Sequence, residues 1–297
     1  MCTSMLRYEG TIWRPPSEAR SLILQATIGC SHNACIFCVS YKDRCFRVRG
    51  AEAIKSDLNS LPKGYKRGVH RVFLADGDAL TMKTEELLQV LNVLAEELPA
   101  LERVSLYAYA KNVRDKSVED LRQLHDGGLG IVYLGLETGD DELLRWSRKG
   151  ITTKENIAAC KKIREAGIPL SLTIILGLGG LDNSEKHAIA TAAALNMIDP
   201  EYVGALTLMM PERTQIYEKY QQGAFKPMEP FDILRELRLL VERLNLSNCV
   251  FRTNHASNYL PIRGTLNQDK EKVLAVLDNA IALADQNMLR PGYLRGL

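Results

Sequence analysis

The 297-residue sequence has no long apolar run, and it carries almost no net charge. A helix that crosses a bilayer needs about 18 consecutive apolar residues, so no membrane span is expected. A formal charge of +2 gives no general attraction for nucleic acid or for an anionic membrane surface. Residues 1–7 lack the apolar core of a signal peptide. We therefore expect a cytoplasmic protein.

The sequence also lacks a linker rich in Pro, Gly or Ser that would divide it into domains. Its length suits one large α/β domain, and its 46% hydrophobic and 25% charged residues are ordinary for a globular protein. Because disulfides are rare in the cytoplasm, the seven cysteines are predicted to be thiols or metal ligands.

Apolar runs that are typical of strands alternate with amphipathic segments that are typical of helices. The predicted strands are 22–28, 71–75, 104–108, 131–136, 170–176, 202–208 and 249–252. The predicted helices are 51–61, 84–98, 117–126, 153–166, 185–197, 232–244 and 270–286. A β-α unit repeated at least six times implies parallel strands with right-handed crossovers. The sequence thus predicts an α/β fold, either an open sheet or a partial barrel.

Three cysteines, Cys30, Cys35 and Cys38, lie within nine residues directly after the first predicted strand. Loops at strand ends often carry reactive groups in α/β proteins, and three thiolates this close can bind a soft metal centre. They could also be unrelated loop cysteines. A plant-type [2Fe–2S] site would need a fourth nearby cysteine, and a closed zinc site a fourth ligand such as His32 or Cys45. A [4Fe–4S] cluster with one open iron needs no further ligand.

This loop resembles that of the radical S-adenosylmethionine (SAM) superfamily, in which three loop cysteines hold such a cluster. An aromatic residue before the last cysteine, here Phe37, belongs to the pattern. The common spacing there is C-x3-C-x2-C, so this loop has one extra residue between Cys30 and Cys35. The resemblance implies a partial (β/α)6 TIM-like barrel over residues 21–210, with a lead-in at 1–20 and a C-terminal extension at 211–297 that caps the barrel.

Asp76-Gly77-Asp78 follows the second predicted strand. Glycine there lets the backbone approach a ligand and a carboxylate can bind an ammonium group, although Asp-Gly is also an ordinary turn. The segment is similar to the Gly-Gly-Glu element that holds the methionyl amine of SAM. Gly77 and Asp78 match that element, with Asp in place of Glu, whereas Asp76 departs from its first glycine.

Gly135-Leu136-Glu137 ends the fourth predicted strand, and the residues after it could also simply cap a helix. It resembles the Gly-x-Glu/Gln site of the coproporphyrinogen-oxidase-like and elongator-like branch, where a basic residue twelve positions later meets the SAM carboxylate. Here that residue is Lys149, flanked by Arg148, which could offer a bidentate grip. The fifth strand and its glycine-rich end resemble the strand that lies along the adenine, so Thr173 would face the nucleoside.

Two further polar segments follow predicted strands. Residues 107–112 come after the third strand, and Asn254-His255-Ala256-Ser257-Asn258-Tyr259 comes after the seventh. The second segment could reach over the barrel mouth and bind substrate, or it could form a capped turn. His32 is expected to hydrogen-bond sulfur or backbone rather than bind iron. We interpret Cys45, Cys160 and Cys249 as ordinary thiols.

The resemblance implies an oxygen-sensitive radical SAM enzyme with a [4Fe–4S] cluster and SAM as cofactors. Reductive cleavage of SAM would give a 5′-deoxyadenosyl radical that abstracts hydrogen from an unidentified substrate. The near-neutral charge favours a small molecule over nucleic acid as that substrate. The chemistry implies an electron donor such as flavodoxin or ferredoxin. The alternative from another class is a non-catalytic iron–sulfur or zinc-binding scaffold or redox protein.

Overall fold

The computed structural model describes residue 6 and residues 8–297, so part of the expected lead-in at 1–20 lies outside the described residues. The strands are β1 (Leu22–Gln25), β2 (Thr27–Ile28), β3 (Arg47–Val48), β4 (Arg71–Ala75), β5 (Arg103–Ala108), β6 (Leu129–Glu137), β7 (Leu170–Leu176), β8 (Tyr202–Thr207), β9 (Cys249–Arg252) and β10 (Arg263–Leu266). The α-helices are α1 (Gly50–Asn59), α2 (Lys63–Lys66), α3 (Thr84–Glu97), α4 (Ala110–Arg114), α5 (Val118–Asp126), α6 (Asp141–Trp146), α7 (Thr153–Glu165), α8 (Gly180–Ile198), α9 (Gln215–Gln221), α10 (Pro230–Arg243) and α11 (Lys270–Leu283).

Eight of these strands form a sheet in the order β1-β4-β5-β6-β7-β8-β9-β10. The pairs β1–β4, β4–β5, β5–β6, β7–β8 and β8–β9 are parallel, and β9–β10 is antiparallel. The order has two ends, so the sheet is open. The predicted α/β fold with a mostly parallel, unclosed sheet is confirmed, and helices between successive strands make the crossovers that a parallel sheet requires.

Two compact units divide the chain. Unit 1 comprises residues up to Asn33, 40–134 and 158–170, and unit 2 comprises 34–39, 135–157 and 171–297. Among the described residues, the helices are all too short or too polar to cross a membrane.

Unit 1 has a core on one face of its strands. Ile23, Phe73 and Tyr133 belong to this core, and Ile12 of the lead-in packs against it. The lead-in is further held by Glu18, which is fully buried and accepts hydrogen bonds from the Tyr133 hydroxyl at 2.6 Å and from Arg103 at 2.7 Å. Burial and the Glu18 carboxylate raise the pKa of Tyr133. The described part of the lead-in is therefore packed against the core of unit 1.

Unit 2 contains the C-terminal half of the sheet. Along β8, β9 and the first five residues of β7, the side chains alternate between a buried face and a partly exposed face, here called the half-open face, as the two-residue period of a strand requires. Helix α10 packs against both α8 and α11. Strands β9 and β10 extend the sheet beyond the six strands of the expected barrel.

Two element boundaries differ from the predictions for physical reasons. The strand predicted at 22–28 is divided at Ala26, because the next residues turn away and pair antiparallel with β3, with Thr27 opposite Val48. The helix predicted from residue 185 begins at Gly180, whose φ of +61° suits glycine.

Strand β10 was not predicted, since its sequence Arg-Gly-Thr-Leu has no apolar run.

Candidate functional site

Cys30 and Gly77 lie side by side in unit 1. A β-carbon added at Gly77 would be 2.9 Å from the Cys30 β-carbon and 2.7 Å from the Tyr41 ring. The amide of Gly77 also donates to the carbonyl of Gly29 at 3.1 Å. Only glycine at residue 77 therefore allows the cysteine loop and the end of β4 to approach this closely.

Asp78 is fully buried in unit 1, and its carboxylate accepts several hydrogen bonds. Its carboxylate accepts hydrogen bonds from the Ser31 hydroxyl, from the Asn112 side-chain amide, and from the Tyr109 backbone amide at 3.0 Å. The ring of His32 stacks on Tyr109 with the centroids 4.8 Å apart. Asp78 thus connects the cysteine loop to the polar segment at 107–112.

Asp76, which departs from the family element, is also buried. It accepts a hydrogen bond from the Gly29 amide at 3.0 Å and from the Gln25 side chain at 3.2 Å, and Arg44 lies 3.4 Å away. Burial raises the pKa of this carboxyl group, although these partners oppose the rise. A carboxylate at this position therefore fixes the start of the cysteine loop, a role that a glycine could not have.

Cys35, Phe37 and Cys38 belong to unit 2. Ile36, between the two cysteines, donates to the carbonyl of Ser147 at 3.0 Å and accepts from the amide of Ile216 at 3.2 Å. Its side chain is buried, and Phe37 packs against the same apolar cluster. The short segment with the last two cysteines is therefore held at both its backbone and its apolar side chains.

Glu137 and Lys149 form an ion pair in unit 2. Lys149 Nζ donates to Glu137 Oε1 at 2.7 Å, and each side chain is 10% exposed. Glu137 has a φ of +62°, which the turn after β6 imposes. A β-carbon at Gly135 would lie 2.0 Å from Glu137 Oε1, so the glycine of the Gly-x-Glu element makes the space for this carboxylate.

The other two residues predicted to contact SAM in unit 2 have different surroundings. Arg148 donates to the side chain of Gln215 at 2.9 Å and lies at an exposed position, whereas Lys149 is buried. Thr173 lies in the middle of β7 on its half-open face. Of the two basic candidates, Lys149 is the one that is adjacent to Glu137.

A buried network in unit 2 was not predicted from the sequence. The hydroxyl of Thr138 is 2.8 Å from His187 Nδ1, and His187 Nε2 is 3.1 Å from the carbonyl of Ile175. Glu236 of α10 accepts from the amide of Gly177 at 2.7 Å and from the Ser184 hydroxyl at 2.6 Å. The network fixes the ends of β6 and β7, the strands that carry Glu137 and Thr173.

The polar segment at 254–259 in unit 2 bonds to the end of β8. Asn258 donates to the carbonyl of Ala205 at 2.8 Å and accepts from the Thr207 hydroxyl at 2.8 Å. Arg290 donates to three carbonyls of the segment, and the guanidinium of Arg295 lies over the Tyr259 ring at 4.0 Å. Most of its polar groups therefore have partners within the protein.

The thiols of Cys30, Cys35 and Cys38 are half-buried, Cys45 is exposed, and Cys160 and Cys249 are buried. Burial raises the pKa of the Cys160 thiol, which makes it inert. Over the described residues, no three His, Cys, Asp or Glu side chains converge on one point where a single metal ion would bind. Thiolates are soft donors, so the chemistry of these three cysteines suits an iron–sulfur cluster or another soft metal centre.

A sequence model of the radical SAM superfamily matches residues 24–192, more than half of the chain. The heme chaperone HemW of Bacillus subtilis (strain 168) is 25% identical over 168 residues, which are 56% of this chain and 44% of that protein. The chain therefore spans less than half the length of that relative.

Two solved structures are similar in fold. Coproporphyrinogen III oxidase of Escherichia coli, described as a radical SAM enzyme, gives a TM-score of 0.58 at 16% identity over 75% of this chain and 52% of its own. Methylornithine synthase gives a TM-score of 0.53 at 19% identity over 76% of this chain and 63% of its own. The fold of these two structures agrees with the family match. The chain belongs to the radical SAM superfamily, a superfamily of enzymes.

Proposed function

We propose that this chain binds a [4Fe–4S] cluster and SAM, generates a 5′-deoxyadenosyl radical, and abstracts hydrogen from a substrate. The observation that carries the proposal is the contact between Gly77 and Cys30, which joins two of the family's motifs in one place. When bound, the cluster supplies the electron that cleaves SAM to methionine and the radical. The protein supplies ligands, orientation and exclusion of water.

Cys30, Cys35 and Cys38 are the proposed cluster ligands. Their thiols are half-buried, so they are accessible to iron and still shielded from bulk solvent. The packing of Phe37 against the apolar cluster around Ile36 supports this role, because it keeps the two flanking cysteines in a fixed backbone. Three thiolate ligands would leave one iron open for the amine and carboxylate of SAM.

Gly77, Asp78, Glu137 and Lys149 are proposed to hold SAM. Asp78 would accept a hydrogen bond from the methionyl ammonium group, because a carboxylate binds an ammonium group with a charge-assisted hydrogen bond. Lys149, a buried cation that is paired with Glu137, would bind the SAM carboxylate through its ammonium group. Glu137 would bind the ribose hydroxyls.

Thr173 and Arg148 have supporting roles in the proposal. Thr173 would line the nucleoside, since it lies on the half-open face of β7. Arg148 would give a second positive charge near the SAM carboxylate. Its present bond to Gln215 would then be exchanged for one to SAM.

The substrate is proposed to be a small molecule, because the net charge of +2 offers no general field for nucleic acid. The electron is proposed to come from a low-potential protein such as flavodoxin or ferredoxin. A non-catalytic iron–sulfur or zinc scaffold is the competing function. It predicts a bound metal that does not interact with SAM.

An electron paramagnetic resonance experiment separates these functions. The protein is reconstituted with iron and sulfide without oxygen, reduced with dithionite, and measured before and after the addition of SAM. We expect SAM to change the cluster spectrum, because it binds the open iron. 5′-Methylthioadenosine, which lacks the amine and carboxylate, is the matched control and should leave the spectrum unchanged. A cluster spectrum that is unaffected by SAM, or zinc in place of iron, would favour the scaffold.

A further inference from the structure

Four residues of unit 2 form a row across its sheet. Thr173 of β7 is opposite Gly204 of β8, Gly204 is opposite Arg252 of β9, and Arg252 is opposite Arg263 of β10. Directly opposed residues in a sheet point to the same face, so the row lies on the half-open face. Neighbouring strands are about 4.8 Å apart, which puts Arg252 about 10 Å from Thr173.

Gly204 leaves the middle of this row open. A β-carbon at Gly204 would have no neighbour closer than the carbonyl of Leu172 at 4.0 Å. No side chain of the row therefore stands between Thr173 and Arg252. A ligand that touches Thr173 could extend along the sheet to the two arginines.

Arg252 and Arg263 are both exposed, and they have no counter-charge within the described residues: neither side chain forms a hydrogen bond or an ion pair there. Like charges that are directly opposed across two strands destabilise a sheet. A ligand anion held by both guanidinium groups would remove this repulsion. Arginine pairs bind carboxylate and phosphate oxygens with several aligned donors.

A cavity of about 760 Å³ adjoins the pair. Its lining includes Val250, Arg252, Arg263 and Thr265, together with Asp269 and Lys272. Asp269 is the one carboxylate among the described lining residues, and it is engaged by Lys272 at 3.0 Å and by the amide of Thr265 at 2.9 Å. The cavity is therefore positive where the two arginines face it, and it has the volume for a small molecule.

We propose that Arg252 and Arg263 bind an anionic group, a phosphate or a carboxylate, of the substrate on which this enzyme acts. The proposal rests on the proposed function, since the row begins at Thr173, the residue assigned to the nucleoside. The reacting carbon would lie near Thr173 and the anionic group about two strands away. The two arginines thus determine which substrates are held in reach of the radical.

Calorimetric titration of the reconstituted protein at low ionic strength tests the anion site without the need for a known substrate. Phenyl phosphate and benzoate carry the two candidate anions on the same ring, and benzamide is the uncharged control. We expect the wild type to bind at least one of the anions more tightly than benzamide. The preferred anion then distinguishes a phosphorylated substrate from a carboxylate.

The double variant R252A/R263A should bind that anion at least about tenfold more weakly, because two charge-assisted contacts are lost. R67A/R122A removes two other exposed guanidinium groups and should bind it as the wild type does. R252K/R263K keeps the charge without the bidentate geometry, so its affinity should be intermediate. If R252A/R263A does not fold, the anion affinity of R252K/R263K still tests the site.

Three results would refute the site. They are a wild type that binds neither anion more tightly than benzamide, an R252A/R263A variant with wild-type affinity for the anion, and an R67A/R122A control that loses as much affinity as R252A/R263A. Formation of 5′-deoxyadenosine by the wild type is measured separately. Anion binding without SAM cleavage would refute the proposed function and leave an anion site with no assigned substrate. SAM cleavage without anion binding would refute this inference alone.

Discussion

Cys30 and Gly77 are in such close contact that a β-carbon at residue 77 would lie 2.9 Å from the β-carbon of the cysteine. The two residues are 47 positions apart in the sequence, and the amide of Gly77 is hydrogen-bonded to the loop just before Cys30. The position of a proposed cluster ligand therefore depends on the absence of a side chain at the end of the neighbouring strand.

Gly77→Ala should displace Cys30 and reduce the iron that the protein retains. Overpacking of this kind costs about 1–3 kcal/mol, so the free energy of unfolding should fall by a similar amount. Gly64→Ala is the matched control, because nothing lies within 4 Å of a β-carbon there. Iron analysis after reconstitution and urea unfolding measure both effects. Equal iron content in the two variants would contradict the role of the Gly77 contact.

Lys149→Met should weaken SAM binding at least about tenfold and destabilise the fold, since it leaves Glu137 buried without its cation. Removal of one partner of a buried ion pair costs about 3–5 kcal/mol. The double variant E137Q/K149M should recover much of the stability but not SAM affinity. Arg148→Met, which removes an exposed charge, should reduce SAM affinity and the free energy of unfolding less than Lys149→Met does. Equilibrium binding of SAM and urea unfolding distinguish the four proteins.

Glu236→Gln should destabilise the end of β7. Glu236 is 2% exposed and accepts hydrogen bonds from the amide of Gly177 and the hydroxyl of Ser184. A glutamine has one acceptor oxygen where the carboxylate has two, so the Gly177 amide and the Ser184 hydroxyl can no longer both donate to residue 236, at a cost of about 1–3 kcal/mol. Glu242→Gln, on the exposed side of the same helix, is the control and should unfold like the wild type. A Glu236→Gln protein as stable as this control would contradict the network.

The stability of unit 2 should depend on pH through His255. Burial, and then the nearby Arg290, lower the pKa of His255 from its ordinary value of 6.5. The unfolded chain therefore takes up this proton first as the pH falls. The contribution of His255 to stability is present above pH 6.5 and is lost as the pH falls from 6.5 through the lower folded-state pKa. Urea unfolding at pH 7.5 and 5.5 measures the fall in the free energy of unfolding between the two pH values. This fall should be smaller for His255→Asn than for the wild type, and an equal fall would exclude His255 as the cause.

Local patterns allowed much of the fold to be predicted. Strand β7 was predicted with both ends correct, because an apolar run between Pro169 and Gly177 has clear boundaries. Strand β10 was missed, since only pairing with β9 gives its polar sequence a strand conformation. The division of the first strand was missed for a similar reason: the pairing of β2 with β3 is a contact between distant segments.

In the candidate site too, residues that are close in the sequence could be predicted, whereas partners that are far apart in the sequence could not. The cysteines, Gly77, Asp78 and Glu137 were proposed from short motifs whose members lie close together in the sequence. Asn112 lies 34 residues from Asp78, and Glu236 lies 59 residues from Gly177, so only the fold brings these partners together. Arg252 and Arg263 likewise become a pair through the register of β9 and β10.

The most direct measurement is the formation of 5′-deoxyadenosine from SAM by the anaerobically reconstituted protein with dithionite. Iron is counted in the same sample, beside the triple variant C30A/C35A/C38A and the single variant Cys45→Ala. We expect about four irons and 5′-deoxyadenosine from the wild type and from Cys45→Ala, and neither from the triple variant. Bound zinc, or bound iron without cleavage of SAM, would contradict the proposed radical chemistry.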